Sequence, residues 1–175
     1  MRRLCLLLVL GMSLSTVSAS AGEAIPAAYR HVAAVHGVPA DLFYAVALTE
    51  SGRTVAGSLL PWPWTLNIGG EGHFFTSRVE AWLALDASLR NGRQSVDVGL
   101  MQVNWRYHQS RFKNSWLALE PYNNLGIAAE ILTDCYRQRR DWWASVGCYH
   151  APANEQRAAR YRNRVMAHWR QLNGS

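Results

Sequence analysis

Residues 40–50 read Ala-Asp-Leu-Phe-Tyr-Ala-Val-Ala-Leu-Thr-Glu, directly after Pro39 and shortly before Gly52. A proline just ahead of an apolar run and a glycine just beyond it are typical helix boundaries. Within the run, apolar residues recur at the spacing of one helix face, which predicts a helix packed against a core. This stretch therefore favours an α-helical domain.

Glu50 closes that predicted helix on its apolar side. It follows Ala47 by three residues and Val46 by four, so it shares their face. Burial disfavours the charged carboxylate and raises the pKa, and the last turn of a helix also opposes negative charge. Both effects favour a carboxyl that is protonated near neutral pH, as a general acid requires. Helical spacing equally allows a structural glutamate with a partner, or a helix end turned towards water.

Most of the remaining chain carries helical patterns. Residues 77–80, Ser-Arg-Val-Glu, match a capping box, and Asn123 is the predicted N-cap of a later helix. The proline-rich, β-prone and glycine-rich segments between residues 55 and 75 predict one small hairpin. The predicted fold class is mainly α with one small β-hairpin. Its further helices are expected over residues 27–36, 77–90, 124–139, 141–149 and from 155 onward.

The N-terminus has the layout of a secretory signal peptide. Arg2 and Arg3 precede the apolar run 4–14, and Ala19-Ser-Ala21 is a cleavage motif. A membrane anchor is the alternative, but the run is too short to span a bilayer comfortably. We therefore expect a signal peptide at 1–21, a single domain at 22–175 and a periplasmic location. Cleavage lowers the formal charge from +6 to +4, and the arginines are scattered, so an anionic wall polymer is favoured over nucleic acid.

Two cysteines, Cys135 and Cys148, remain after cleavage. In an oxidising compartment such a pair predicts one disulfide, with two buried free thiols as the alternative. The six histidines lack metal-ligand spacing, and the sequence has no serine-nucleophile elbow and no phosphate loop. No metal and no cofactor are expected.

Residues 99–104, Gly-Leu-Met-Gln-Val-Asn, form a second candidate block. Gln102 and Asn104 can each donate and accept hydrogen bonds, and amides among apolar residues suit neutral sugars that carry N-acetyl groups. Without further context, the run is equally consistent with a strand end and a turn that bind no sugar.

In four blocks taken together, the chain resembles the lytic transglycosylases of the soluble transglycosylase (SLT) type. The blocks are Glu50-Ser51, residues 99–104, Asn124-Leu125 and residues 147–149. The resemblance covers roughly residues 25 to 170. It implies a lysozyme-like fold in which Glu50 is the only catalytic carboxylate and peptidoglycan glycan strands are the substrate. It also implies that Ser51, Met101 and Gln102 line the glycan groove and that the Tyr149 hydroxyl orients Glu50.

The sequence departs from this family in two places. The usual Tyr-Asn-Ala-Gly is replaced by Tyr149-His150-Ala151-Pro152, so His150 is not given the role of the asparagine. The interval between Glu50 and Gly99 is longer than in compact members. The chain looks like the subgroup encoded with conjugation and type IV secretion systems, which implies such machinery as a partner.

Two rival carboxylates and several tryptophans complete the candidates. If the protein is instead a lysozyme-type hydrolase, Glu71 in the glycine turn is the candidate for its second acid, although a turn is usually exposed. For Asp97 we favour hydrogen bonding to a nearby loop. Trp62 and Trp64 are candidates for a glycan wall, whereas other tryptophans in helical patterns are expected in the core: Trp82, Trp142, Trp143 and Trp169. A different class of function is a non-catalytic wall-binding subunit of a secretion apparatus.

Overall fold

The computed structural model describes residues 25–174. Within that range, eight helices account for most of the chain. The long ones belong to the beginning, middle and end of the sequence, and two single-turn helices lie between them. In chain order they are Ala27–His36 (α1), Ala40–Ser51 (α2), Arg78–Arg90 (α3), Trp105–His108 (α4), Ser115–Ala118 (α5), Pro121–Arg139 (α6), Trp142–His150 (α7) and Glu155–Leu172 (α8).

Short antiparallel strands fill the space between α2 and α4. They form a two-stranded hairpin and a four-stranded sheet whose spatial order is β4-β3-β5-β6. The predicted class, mainly α, is confirmed, but the strands exceed the single hairpin that was expected, because residues 52–61 pair as a hairpin of their own. The strands are Gly52–Val55 (β1), Ser58–Pro61 (β2), Thr65–Ile68 (β3), Glu71–Phe74 (β4), Val96–Val98 (β5) and Val103–Asn104 (β6).

Helix α2 is the centre of the core. Every residue from 42 to 48 is buried, so the helix is enclosed on all sides and not only on the face expected from its sequence pattern. Helices α1 and α8 and strand β2 pack around it. The continuous apolar sequence makes this enclosure favourable, and it fixes the position of the polar residues at the C-terminal end of the helix.

The four-stranded sheet has one apolar row and one polar row. Leu66 lies opposite Val98, which lies opposite Val103, and all three are buried. The neighbouring row, reached by stepping one residue along each strand, joins Asn67, Asp97 and Asn104. Because successive side chains point to opposite faces of a sheet, the apolar row packs on the core while the polar row faces away from it.

The last three long helices pack on one another and are linked covalently. Helix α7 contacts both α6 and α8. A disulfide joins Cys135 of α6 to Cys148 of α7 with a Cα–Cα distance of 5.9 Å, which confirms the predicted pair. It anchors the C-terminal end of α7 directly before Tyr149 and His150.

The boundaries of the long helices agree with the predictions except at α6, whereas the single-turn helices α4 and α5 were not predicted. Ser77 caps α3 by accepting a hydrogen bond from the Glu80 amide, as expected. Helix α6 begins earlier than predicted: its N-cap is Glu120, whose carboxylate accepts from the Asn123 amide at 2.7 Å. Pro121 occupies the first helical position, where proline is well tolerated, so Asn123 lies in the first turn and is not the cap.

The expected signal peptide at 1–21 lies outside the described residues. Within residues 25–174, no single helix has the length and apolar composition needed to cross a membrane. The bent pair of α1 and α2, with 119° between them, satisfies that criterion jointly, by length and composition alone.

Candidate active site

Glu50 lies at the end of α2 and is held by a tyrosine from α8. The Tyr161 hydroxyl donates a hydrogen bond of 2.5 Å to Glu50 Oε1. Tyr161 is completely buried, one turn from Ala158 and Val165 on the apolar stripe of α8. The resemblance implied that Tyr149 would orient Glu50. That assignment is wrong for this chain, because the Tyr149 hydroxyl donates instead to the Met101 carbonyl at 2.7 Å.

The surroundings of Glu50 favour its protonated form. Burial is the main cause and, with a smaller contribution from the negative charge of Asp97, raises the pKa of Glu50 to about 7. The Tyr161 hydrogen bond and the positive charge of Arg164 act in the opposite direction. A carboxyl with a pKa near 7 can both deliver and recover a proton near neutral pH.

Asp97 shares the cavity with Glu50. It belongs to the polar row of the sheet, and Asn104 Nδ2 donates to its Oδ1 at 2.7 Å. Burial raises the pKa of Asp97, while the Asn104 hydrogen bond lowers it. Sequence reasoning had given Asp97 only a structural hydrogen bond to a loop. The structure instead gives it the side chain of Asn104 on the neighbouring strand as its partner, and the cross-strand register places the carboxylate in the cavity.

Glu71 does not accompany Glu50. It is the first residue of β4, all of whose residues are exposed, and it is absent from the lining of the cavity. The hydrolase reading that pairs Glu50 with Glu71 is therefore corrected: β4 is the outer strand of the sheet, two strands away from Asp97. The second carboxylate of the cavity is Asp97.

The turn between β5 and β6 is fixed by Asn124 of α6. The Asn124 side chain accepts from the Met101 amide and donates to the Val98 carbonyl, both at 2.9 Å. Gly99 has a φ of +79°, and a Cβ at this position would stand 2.6 Å from Asn124 Nδ2. Glycine is needed here for both its backbone conformation and its lack of a side chain. The Gly99 and Asn124 blocks therefore act together to shape one wall of the cavity.

Two residues that the resemblance placed on the groove are instead structural. Ser51 is 1% exposed, and its hydroxyl donates to the Leu100 carbonyl at 2.7 Å. The side chain of Met101 is fully buried in the core. Neither side chain lines the cavity, because Ser51 ties the end of α2 to the β5–β6 turn and Met101 points inward from that turn.

Gln102, Asn104 and Tyr149 line the cavity. Gln102 Nε2 donates to the carbonyls of Gly99 and Thr65, at 2.9 and 3.1 Å. Asn104 Oδ1 is buried and accepts no hydrogen bond from residues 25–174. This oxygen is an available acceptor for a hydroxyl or an amide of a ligand.

His150 stacks on the tyrosine that holds Glu50. Its ring lies 4.3 Å from the ring of Tyr161 with an angle of 4° between the planes. Burial, together with the charges of Arg164 and Arg157, lowers the pKa of His150. This histidine therefore presents a flat ring to the cavity, and its surroundings favour the neutral form.

These residues surround a cavity of about 870 Å³. Its walls come from the end of α2, the polar row of the sheet, α4, and the segment that joins α7 to α8. The sequence did not predict the contribution of α4, since no motif marks it. Its lining residues are Glu50, Asn67, Asp97, Gln102, Val103, Asn104, Tyr107, His108, Ile131, Tyr149, His150, Ala151, Pro152, Ala153, Asn154, Arg157 and Arg164.

The positions of Trp62 and Trp64 differ from the expectation that they form a wall of the glycan groove. Trp62 and Trp64 contact each other edge to face, and Trp62 Nε1 donates to the Phe75 carbonyl at 2.7 Å. Neither is part of the cavity lining. Trp64 packs against the core, as do the four tryptophans predicted to be there, Trp82, Trp142, Trp143 and Trp169.

Comparison with known proteins identifies relatives of this chain. The family model of the transglycosylase SLT domain matches residues 71–171. The invasion protein IagB of Salmonella typhimurium, from strains SL1344 and LT2, is 28% identical over 116 residues, which cover 62% of this chain and 72% of the relative. No solved structure matches. The matched range includes the Gly99 block, Tyr149 and Tyr161, and it begins after Glu50.

Proposed function

Since the chain belongs to the transglycosylase SLT domain family, we propose that it is a peptidoglycan lytic transglycosylase that uses Glu50 as its single acid and base. Membership of the family implies peptidoglycan as the substrate. The observation that carries the assignment of Glu50 is its placement: a partly buried carboxyl in a large cavity, hydrogen-bonded by Tyr161, with a pKa raised to about 7.

The proposed reaction needs one carboxyl that acts twice. Protonated Glu50 gives its proton to the oxygen between N-acetylmuramic acid and N-acetylglucosamine as the bond from that oxygen to C1 breaks. The 2-acetamido oxygen of the substrate stabilises the positive charge at C1. Glu50, now a carboxylate, takes the proton of the 6-hydroxyl, whose oxygen bonds to C1 and displaces the acetamido oxygen. The product is a 1,6-anhydro ring, Glu50 is protonated again, and no water is consumed.

The polar row and the amides are suited to holding the sugars. Asn104 offers an unused acceptor, and Gln102 and Asn67 add further polar atoms to the cavity. We propose that Gln102, Asn104 and Tyr149 bind the glycan. In this proposal Ser51 and Met101 support the turn from within the core and do not contact sugar.

The proposal is tested by incubating purified sacculi with the wild-type protein and with two variants that each convert one carboxylate to an amide. Glu50→Gln should abolish release of soluble fragments. Glu71→Gln, the matched control on the exposed strand β4, should retain wild-type release. Equal release by Glu50→Gln and the wild type would remove Glu50 from the reaction.

Asp97 provides the second candidate function, hydrolysis of the lysozyme type. It lies in the same cavity, and its charge acts on Glu50. Hydrolytic glycosidases use two carboxyl groups, one of which activates water or attacks C1. We favour the single-carboxyl reaction because Asp97 is engaged by Asn104. If the single-carboxyl reaction is correct, the variant Asp97→Asn should release fragments at the wild-type rate with the same products. If the reaction is hydrolysis with two carboxyl groups, the same variant should lose turnover.

The location and the partner are further parts of the proposal. We propose that residues 1–21 export the protein to the periplasm, where peptidoglycan lies. We also propose that the cleavage opens the wall locally for a secretion or conjugation apparatus, in line with the sequence resemblance and with relatives named for invasion. A non-catalytic wall-binding subunit is the alternative, and binding of sacculi that is equal in the wild type and Glu50→Gln, without turnover in either, would favour it.

A further inference from the structure

Two arginines of α8 border the cavity that contains Glu50. Arg157 and Arg164 both line it, and both are exposed. Within residues 25–174, neither guanidinium forms an ion pair with a carboxylate, although other arginines form five ion pairs with aspartates and glutamates in that range. Arg164 lies over the ring of Tyr161, 5.4 Å from its centre. Arg157 is therefore the one of the two that has neither an ion pair nor a ring contact within residues 25–174.

The positive charge is not neutralised by the acids of the cavity. Of its two carboxyl groups, Glu50 has a pKa raised to about 7, which reduces its negative charge near neutral pH, and Asp97 accepts a hydrogen bond from Asn104. The guanidiniums of Arg157 and Arg164, in contrast, are permanently positive. A cavity of this composition attracts an anion, and a guanidinium is well matched to a carboxylate because it can form two parallel hydrogen bonds.

We infer that Arg157 binds a carboxylate of the stem peptide carried by the glycan strand, and that the enzyme therefore prefers strands with their peptides attached. This inference rests on the proposed function and extends it to the part of the substrate beside the scissile bond. Sugar rings of the strand are neutral, whereas the substituents on N-acetylmuramic acid carry the carboxylates. Arg157 is exposed and lines the cavity together with the segment 151–154, so a substituent that projects from a bound sugar chain could reach it.

Arg160 supplies a matched control. It lies on the same helix, is exposed, and is absent from the cavity lining; its Nε donates to the Gln156 carbonyl at 3.4 Å. Arg157→Gln and Arg160→Gln make the same change in net charge. A difference between them therefore reports the position of Arg157 and not the overall charge of the protein.

The test compares three substrates. The first is native sacculi, and the second is sacculi whose carboxylates have been converted to neutral amides with carbodiimide and excess ammonia. The third is amidase-treated strands, which lose the peptide and keep the lactyl carboxylate. For each substrate, kcat/KM is measured for the wild type, Arg157→Gln and Arg160→Gln.

On native sacculi, Arg157→Gln should lower kcat/KM about fivefold, the size of one partly exposed charge pair. On the amide-converted and amidase-treated substrates it should equal the wild type, and Arg160→Gln should equal the wild type on all three. An undiminished kcat/KM on native sacculi would overturn the inference, as would the same loss on amide-converted sacculi. The same loss on amidase-treated strands would assign Arg157 to the lactyl carboxylate and overturn the stem peptide.

A binding measurement separates this inference from the proposed function. Co-sedimentation with native and amide-converted sacculi compares Glu50→Gln with the double variant Glu50→Gln/Arg157→Gln, neither of which needs to turn over substrate. Weaker binding of the double variant to native sacculi alone supports the carboxylate contact even if the wild type shows no turnover. Equal binding of both variants to native sacculi contradicts it.

Discussion

The Tyr161 hydroxyl donates a 2.5 Å hydrogen bond to Glu50 Oε1 across 111 positions of sequence. It joins the C-terminal end of the buried helix α2 to the apolar stripe of α8, and His150 stacks on the same tyrosine. A carboxyl at a helix end is thereby given one fixed orientation towards the cavity. The hydroxyl also stabilises the charged form of Glu50 and limits the rise in pKa that burial produces.

Tyr161→Phe should move the alkaline limb of the kcat/KM profile to higher pH. Removing the donor destabilises the Glu50 carboxylate, so the pKa of Glu50 rises further. We also expect kcat to fall about tenfold, because a hydrogen bond to a charged group that orients the acid is lost. Rates on sacculi measured across pH for the wild type and the variant test this.

Tyr149→Phe is the control for that experiment. Its hydroxyl donates to the Met101 carbonyl and not to Glu50. The rate of this variant can fall through weaker glycan binding, but the alkaline limb should stay in place. A shift in Tyr149→Phe, with none in Tyr161→Phe, would show that the wrong tyrosine has been assigned to Glu50.

Glu50 should make the folded protein less stable as pH rises. Its pKa is 4.5 in the unfolded reference and about 7 in the folded chain, so its favourable contribution is complete below 4.5 and is lost as pH rises through 7. Glu50→Gln should therefore match the wild type at pH 4 and exceed its free energy of unfolding at pH 8 by up to ~3 kcal/mol. Urea unfolding at both pH values measures the difference, and a variant less stable than the wild type at pH 8 would refute it.

Much of the fold was predictable because it follows from local sequence. Helix caps such as Ser77 and the apolar run of α2 are local features of a few consecutive residues. The complete enclosure of α2 was not predictable, since it depends on what packs around the helix. Nor was the separate hairpin at residues 52–61, which lacks strong alternation.

The site was only partly predictable, because its residues come from distant segments. Spacing on one helix made Glu50 a candidate but equally allowed a structural glutamate, and its partner Tyr161 lies on the last helix. Asp97 enters the cavity through the register that sets it opposite Asn67 and Asn104, and no pattern within β5 gives that register. The burial of Ser51 and Met101 likewise depends on tertiary contacts at the β5–β6 turn.

Gly99→Ala should destabilise the protein strongly. The added Cβ would meet the Asn124 side chain at 2.6 Å, and the φ of +79° is unfavourable for alanine. We expect a loss of about 2 to 4 kcal/mol in the free energy of unfolding. Gly126→Ala on α6, where no atom lies within 4 Å of the new Cβ, should be neutral or stabilising in urea unfolding. Equal effects of the two changes would contradict the fit between Gly99 and Asn124.

Cys135→Ser/Cys148→Ser should lower the free energy of unfolding by about 3 kcal/mol, since the disulfide closes a short loop between α6 and α7. The same loss should appear when the wild type is unfolded in a reductant, and the reductant should not affect the double variant. Two free thiols in the denatured, unreduced wild type would rule out the bond.

The most direct test of the central claim, that Glu50 alone serves as acid and base, is mass spectrometry of the fragments released from purified sacculi. The account predicts 1,6-anhydro-N-acetylmuramic ends in wild-type digests and none with Glu50→Gln. Reducing ends, which carry the added mass of one water, would contradict it and place Asp97 in the reaction as the second carboxylate.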